Sequence, residues 1–255
     1  SRAGSTAAIS GLSDAALLAM FSVAPAAPNT VVDATSTTGS LGWNFNSGSE
    51  AFNALAVGEN LTLTYTVRVA DGTGSTADKT IAVLINGSND APSGLASTQT
   101  NAVVEDGGDA NATTGTSSSS ITLTPSDVDG VATFSLSGLQ ASGSGWSSND
   151  GNQTFSKNGT YGTATFTLAT GEVAYVLDNS RAATEALTAG STATDSFALP
   201  VVDGAGLSGT ATAVFAIQGS NDKPTLVAAA ATAAAAADEM KRRLISSFRS
   251  LGVRL

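Results

Sequence analysis

The residues of this sequence best suited to chemistry are aspartates, and two of them, Asp127 and Asp129, stand one residue apart. In an extended segment alternate side chains point the same way, so this spacing directs both carboxylates toward one ion. Hard cations such as calcium take about six to eight oxygen ligands from carboxylates, amides and backbone carbonyls. The pair therefore predicts part of a cation site. The alternative interpretation is a turn, where Asp, Asn and Gly gather because their side chains cap backbone groups.

Other kinds of chemistry are restricted by the composition. The chain has no Cys and no His, which excludes thiol nucleophiles, imidazole bases and zinc ligation by these residues. Carboxylates alone would have to catalyse any reaction, and nothing in the sequence sets two of them in an aromatic cleft suited to glycoside cleavage. The two tryptophans, Trp43 and Trp146, lie in a strand-like segment and in a Ser/Gly-rich loop. We expect Trp146 to pack on its own domain, and we expect no enzymatic activity.

Charge is distributed unevenly along the 255 residues. Residues 1–237 hold 19 acidic against 6 basic residues, whereas residues 238–255 hold 2 against 5. An acidic body repels nucleic acid phosphates and suits divalent cations. No stretch approaches the ~20 consecutive apolar residues of a transmembrane helix. We therefore expect neither a nucleic acid partner nor a membrane-spanning helix.

An internal repeat organises the chain. Residues 54–92 align without a gap on residues 186–224, at an offset of 132 residues, and both copies end in the string G-S-N-D-x-P. In each copy two segments of alternating apolar and polar residues flank a turn, Asp71–Gly74 or Asp203–Gly206, which predicts a β-hairpin. Many short strands separated by Gly, Asn and Ser predict an all-β fold with two tandem β-sandwiches. Further strands are expected over 121–124, 132–136, 164–168 and 173–177.

Domain boundaries are expected at the proline that ends each copy, because proline lacks an N–H and suits the end of a strand. The predicted domains are a first sandwich over 1–92, a second over 93–224 and an α-helix over 225–255. The helix is predicted because 226–237 is nearly all Ala and four apolar residues then share one face: Met240, Leu244, Phe248 and Leu251. This helix could pack on its own sandwich, contact other copies of the chain or lie on an anionic membrane. We favour a protein contact over the membrane.

Several strings carry a family resemblance: the block from 50 to 92 and, in the second domain, AVVEDGG, LTPSDVDGVATFSL and YVLDNS. They resemble the VCBS or cadherin-like repeats of large type I secreted bacterial adhesins of the RTX class. The resemblance covers 38–92 and 102–224, is weaker for 1–37 and is absent for 225–255. It implies Ig-like or cadherin-like sandwiches, export to the bacterial cell surface, a role in adhesion and biofilms, and calcium bound between successive domains.

Two sets of calcium ligands are expected in such a layout. The junction set takes two residues from the linker and the aspartate pair from the second domain: Asn89, Asp90, Asp127 and Asp129. The far-end set begins with the two acids that match the family's early acidic pair, and it comprises Glu105, Asp106, Asp178, Asn221 and Asp222. For Asp71 and Asp203 we expect turn chemistry instead.

Three functions remain open from the sequence. The first is a structural or adhesive element of an extracellular bacterial surface protein, stiffened by calcium and in contact with neighbouring repeats, copies of the chain, surface glycans or other surface proteins. The second is a self-assembling subunit of a surface layer, filament or particle, joined through the helix and exposed sheet edges. The third is a carbohydrate-binding module, which would need an exposed aromatic platform.

Overall fold

The structure is a computed structural model that describes residues 1–24, 38–50, 52–70, 75–107, 114–222, 239–244 and 246. These residues form an all-β fold with few short helices. The first half contains β1 (Arg2–Gly4), a 3-10 turn (Thr6–Ile9), α1 (Asp14–Ala19), β2 (Phe21–Ala24), β3 (Gly42–Phe45), β4 (Asn60–Ala70) and β5 (Thr76–Asn86). The second half contains β6 (Ser93–Ala96), β7 (Val103–Val104), β8 (Ser118–Ser126), β9 (Ala132–Phe134), α2 (Leu136–Gln140), β10 (Thr154–Asn158), β11 (Gly162–Thr167), β12 (Glu172–Leu177), β13 (Thr192–Asp203) and β14 (Ser208–Gln218).

Two sheets face each other in the second half. One has the strand order β10-β11-β12-β8 and the other the order β6-β14-β13-β9, and pairing of β6 with β8 joins the sheets along one edge. The described strands pair antiparallel except that β6 and β7 run parallel to β14. Tyr175 of β12 and Phe215 of β14 stack with ring centroids 4.8 Å apart, so the inner faces of the two sheets are in contact.

The core of the second half follows from the period of two along each strand. In β14 the buried residues Ala211, Ala213, Phe215 and Ile217 alternate with exposed ones. Trp146 joins this core from its loop, with 7% of its surface exposed and its Nε1 donating to the carbonyl of Ala198 at 3.0 Å. The prediction that Trp146 packs on its own domain is therefore confirmed.

The strand predicted over 132–136 is shorter than expected. It ends at Phe134, and α2 begins at Leu136. The hydroxyl of Ser135 accepts a hydrogen bond from the Gly138 amide at 3.1 Å and caps this helix. A side-chain cap therefore overrides the apolar pattern at this point.

The sequence repeat forms the same hairpin twice. β4 and β13 begin at residues 60 and 192, and β5 and β14 span 76–86 and 208–218, so three of the hairpin's boundaries recur at an offset of 132 residues. The glycine after each second strand lies against the turn before the first strand. A side chain on Gly87 would lie 2.2 Å from the carbonyl oxygen of Ala56, and one on Gly219 would lie 2.5 Å from that of Thr188. Close backbone approach therefore explains the glycine of G-S-N-D-x-P.

The first half has smaller sheets, with strand orders β1-β4-β5 and β2-β3. Phe21 of β2 stacks on Tyr65 of β4 with centroids 4.4 Å apart, so these sheets also face each other. The buried residues of this core are Ile9, Leu17, Phe52, Leu55, Leu61, Leu63 and Tyr65. A groove of about 760 Å³ remains open beside Leu17, Phe21 and Tyr65.

The linker between the halves is seated on β14 by two close approaches. A side chain on Gly94 would lie 2.1 Å from the Cβ of Ala211, and one on Gly209 would lie 1.7 Å from the carbonyl oxygen of Pro92. Glycine is therefore required at both positions, and the end of the linker is held against the second half.

Some predicted elements lie outside the described residues: the Asp71–Gly74 turn and, in the C-terminal helix, 225–238, Phe248 and Leu251. Residues 239–244 are helical, and the side chains of Met240 and Leu244 are exposed. In the described ranges no helix is long and apolar enough to cross a membrane.

Candidate cation sites at the two ends of the second half

Three chain segments meet at the end of the second half that is nearer to the first half. β8 ends at Ser126 and is followed by Asp127 and Asp129, β13 ends at Asp203, and the linker that follows β5 carries Asn89 and Asp90. The structure therefore brings together the four residues of the predicted junction set, and it adds Asp203.

Two hydrogen bonds hold the linker to this end. The backbone amide of Asp90 donates to Oδ2 of Asp129 at 3.2 Å, and Nδ2 of Asn89 donates to Oδ2 of Asp203 at 2.6 Å. Because the amide nitrogen of Asn89 is used in this contact, its amide oxygen lies on the other side and is the atom that a cation would use.

Three carboxylate oxygens at this end are buried and accept no hydrogen bond of good geometry: both Oδ atoms of Asp127, which lie near the amides of Val128 and Asp129, and Oδ1 of Asp129. Burial, followed by the neighbouring Asp129 carboxylate, raises the pKa of Asp127. A buried charged oxygen without a partner is costly, and two carboxylates side by side repel each other. A divalent cation would remove both costs, and the donor set of carboxylate, amide and backbone oxygens suits calcium.

A buried acid with a structural role looks different in the same half. Asp195 of β13 is 3% exposed, and both of its oxygens accept hydrogen bonds: from the amides of Thr160, Tyr161 and Gly162 and from the Tyr175 hydroxyl, at 2.8–3.1 Å. The fold therefore does satisfy a buried carboxylate where that carboxylate serves packing. The unpartnered oxygens of Asp127 and Asp129 depart from this rule.

Asp203 has both a turn role and a site role. Its Oδ1 accepts from the amides of Ala205 and Leu207 at 2.9 and 2.8 Å, which is the expected turn chemistry, while the hydrogen bond from Asn89 is the main cause that lowers its pKa. Sequence analysis missed its contact with the linker. The signal was present, because both repeats have Asp at this position, Asp71 and Asp203.

A second pair of carboxylates, each with one buried oxygen that has no partner, lies at the opposite end of β14. Glu105 is fully buried; its Oε2 accepts from the amide of Ser220 at 2.9 Å, and its Oε1 has no partner. Oδ1 of Asp222 is also buried without a partner. Burial raises the pKa of Glu105, and the charges of Asp222 and Glu185 add to this effect. Glu105 and Asp222, both predicted for the far-end set, are thus placed together, and Glu185 is a neighbouring acid that sequence analysis missed.

The remaining members of the far-end set are bonded within the protein. The carboxylate of Asp106 accepts from the Gly115 amide at 2.5 Å and from Nδ2 of Asn179 at 3.0 Å. The carboxylate of Asp178 accepts from Ser180 at 2.6 Å and from Nε of Arg181 at 3.1 Å. Nδ2 of Asn221 donates to the carbonyl of Asp222 at 3.3 Å, as Asn89 does to Asp90 in the first copy. Of the predicted far-end set, the acids that keep an oxygen for a cation are therefore Glu105 and Asp222.

Both clusters contain few carboxylates. Within the described part of the chain, no group of three or more His, Cys, Asp or Glu side chains is arranged to hold a metal ion. A cation at either cluster would rely on two acids and on amide, backbone and water oxygens for the rest of its shell. The clusters lie at opposite ends of the 11-residue strand β14, roughly 35 Å apart at 3.4 Å per residue.

No protein-family model matches the chain, and no curated protein matches it.

Proposed function

We propose that this chain is a structural element of an extracellular bacterial surface protein, built of tandem Ig-like or cadherin-like modules whose junctions bind calcium. The observation that carries the proposal is the set of buried, unpartnered oxygens of Asp127 and Asp129 beside the linker amide of Asp90. Glu105 and Asp222 at the far end each keep one buried oxygen without a partner, and they support the same role at the next junction.

The mechanical consequence follows from the position of the linker. β5 ends at Asn86, three residues before Asn89, so whatever fixes Asn89 and Asp90 also restrains the last strand of the first half. A cation shared by Asp127, Asp129 and linker oxygens would convert a hinge into a fixed joint. A repeated joint of this kind makes an extended, stiff array, which suits a protein that holds a binding region away from a cell surface.

The resemblance to adhesin repeats supports the location and the adhesive role in this proposal. The carbohydrate-binding alternative receives less support, because Trp146 is buried and Trp43 is the exposed tryptophan, with 50% of its surface accessible. Trp43 is the one exposed aromatic residue in the described part of the chain, and one such residue forms a poor platform for a sugar chain.

The test is thermal unfolding with calcium and with a chelator. Extracellular calcium modules bind with Kd values of about 10⁻⁴–10⁻³ M. At about 10 mM calcium one such site adds roughly 1.4–2.7 kcal/mol to the free energy of unfolding. This corresponds to a rise in Tm of about 3–10 °C for a chain of this size. Asp127→Asn and Asp129→Asn should each reduce the rise that comes from the junction.

Asp150→Asn is the matched control, since the carboxylate of Asp150 is already bonded to Ser148 and Thr154 at 2.6–3.0 Å and should not bind the cation. NMR relaxation supplies the mechanical readout: the two halves should tumble as one body with calcium and separately without it. An unchanged Tm on adding calcium, or equal calcium responses in Asp129→Asn and Asp150→Asn, would refute the proposal.

A further inference from the structure

The strands through which the chain enters the second half lie beside the strand through which it leaves. The chain enters through β6 and β7, which begin at Ser93 and end at Val104, and it leaves through β14, which ends at Gln218. Both β6 and β7 pair with β14 in parallel. The chain therefore joins this ladder at the junction end and leaves it at the far end, on neighbouring strands.

Tension along the chain acts on these strands in opposite directions. It pulls β6 toward the first half, and it pulls β14 toward the chain that follows Asp222. Because the strands are parallel, they have to slide along each other before they separate. The hydrogen bonds of a parallel ladder are evenly spaced, so sliding loads all of them at the same time. The second half therefore meets tension in shear.

One side chain completes the ladder between β6 and β7. Gln99 lies between the two strands, and its side chain accepts from the amide of Ala216 at 2.9 Å and donates to the carbonyl of Ala216 at 3.2 Å. An amide side chain carries the same kinds of donor and acceptor as a peptide group. Gln99 therefore takes the place of a strand residue, and the contacts with β14 extend from the start of β6 to the end of β7.

Glu105 continues the ladder past the end of β14. Its backbone amide donates to the carbonyl of Gln218 at 3.0 Å, and its Oε2 accepts from the amide of Ser220 at 2.9 Å. Glu105 and the neighbouring Val103 are both fully buried. Hydrogen bonds in such a low-dielectric environment are stronger than hydrogen bonds in water. The last bonds before the chain leaves the second half are therefore shielded from solvent.

The entry segment, residues 93–105, is also held on its other side. β6 pairs antiparallel with the last four residues of β8. Beyond β6, Ser97 and Thr122 exchange two hydrogen bonds at 2.9 Å. Val104 of β7 exchanges two with Thr116, at 2.9 and 3.0 Å. Sliding of the entry segment therefore requires that its bonds to β8 and to β14 break together.

We propose that the contact of the entry segment with β14 and the 116–126 segment is a mechanical clamp, which keeps the second half folded while the chain carries tension. The proposal rests on the structural role proposed above only for the source of the tension, since the bonds of the clamp are made within the chain. Forced unfolding is governed by the unfolding rate and not by the free energy of unfolding. A clamp that breaks in one step places its bonds in the unfolding barrier, so the direction of pulling decides the strength.

The experiment is single-molecule force spectroscopy of the full chain in chelator, with force applied through two introduced cysteines. The chain has no Cys of its own, so each pair of attachment points is unique. Ala91→Cys with Gln218→Cys pulls the two strands past each other, whereas Ala91→Cys with Ala205→Cys pulls them apart from their common end. All three positions are exposed. At one loading rate we expect a higher unfolding force in the first geometry, with a single extension of roughly 400 Å at about 3.4 Å per residue.

Gln99→Ala is the decisive variant, because it removes two hydrogen bonds of the clamp and leaves the backbone pairs in place. In the first geometry it should raise the unfolding rate at constant force about 5–30-fold, the effect of losing two hydrogen bonds from the barrier. Gln153→Ala is the matched control. The side chain of Gln153 donates to the carbonyl of Asp150 at 3.1 Å, in a loop outside the clamp, so its removal should leave this rate unchanged.

Equal unfolding forces in the two geometries would overturn the proposal. Equal unfolding rates for Gln99→Ala and Gln153→Ala in the first geometry would do so as well. Repeating the first geometry in calcium tests the cation sites separately: a further rise in unfolding force that Glu105→Gln abolishes supports the far-end site. Absence of that rise counts against the calcium proposal and leaves the result in chelator, and with it the clamp, unchanged.

Discussion

Removal of the Asp195 carboxylate should unfold the second half more readily than removal of any one of its partners. Asp195 lies on β13, and the turn that it binds lies between β10 and β11, so its hydrogen bonds connect the two facing sheets. Oδ1 accepts from the Thr160 amide, and Oδ2 accepts from the amides of Tyr161 and Gly162 and from the Tyr175 hydroxyl. Burial, followed by the contact with Asp195, raises the pKa of Tyr175, so this hydroxyl remains a donor whenever the protein is folded.

The magnitudes follow from the four donors. Asp195→Ala leaves two buried donors, on Gly162 and Tyr175, without a partner, at about 1–3 kcal/mol each. The two half-buried donors reach water and add about 1 kcal/mol each. We expect a loss of about 4–8 kcal/mol in the free energy of unfolding. Tyr175→Phe removes one bond to a charged acceptor and should cost about 2 kcal/mol.

Asp195→Asn should fall between these two variants. The amide nitrogen of the new asparagine should take the position of Oδ1. There it faces one donor, the Thr160 amide, whereas at the position of Oδ2 it would face three donors. The remaining three bonds then go to a neutral oxygen and weaken by about 1 kcal/mol each.

Urea unfolding followed by Trp146 fluorescence in a Trp43→Phe background measures the three free energies. Trp146 suits this assay because it is buried in the same core. A loss below about 1 kcal/mol for Asp195→Ala, or a smaller loss than for Tyr175→Phe, would refute the assignment of this carboxylate as the connection between the sheets.

Three further predictions concern the linker and the acids. Gly209→Ala should lower the free energy of unfolding in urea by about 1–3 kcal/mol, because the new methyl group would collide with Pro92. Gly204→Ala is the control: no atom lies within 4 Å of its new methyl group, so it should change the free energy of unfolding by under about 0.5 kcal/mol. Hydrogen bonds, first from Thr154, lower the pKa of Asp150 to about 2. The Tm advantage of the parent chain over Asp150→Ala should therefore be complete above the unfolded pKa of about 3.9 and should disappear as the pH falls through about 2. A difference in Tm that does not change with pH would contradict this prediction. Because the pKa of Asp127 is raised, its protonated form favours the folded state. In chelator the parent chain should therefore lose Tm as the pH rises from about 4 through the folded pKa, and Asp127→Asn should show less of this loss.

The junction site shows which site residues the local sequence pattern can predict. The spacing of Asp127 and Asp129 and the repeated Asn-Asp of the linker predicted four residues that do come together. The layout implied by the family resemblance placed Asp106 and Asp178 in the separate far-end set of ligands, yet both carboxylates are bonded within the protein. Whether an acid is available to a cation depends on which donors the fold brings to it. Asn179, which donates to Asp106, is 73 residues away in sequence, whereas Ser180 and Arg181, which donate to Asp178, are local.

The sequence by itself determined the all-β class and the two hairpins, because an apolar period of two and glycine-rich turns are local properties that the 132-residue offset displays twice. Tertiary structure alone decided which acids keep unpartnered oxygens, as at Asp127, and which are satisfied, as at Asp195. It also decided that equivalent positions differ, with Tyr175 buried and Trp43 half-exposed. Burial depends on neighbours that are far along the chain: β6 and β7 pair with β14, whereas among the described strands only β4 pairs with β5.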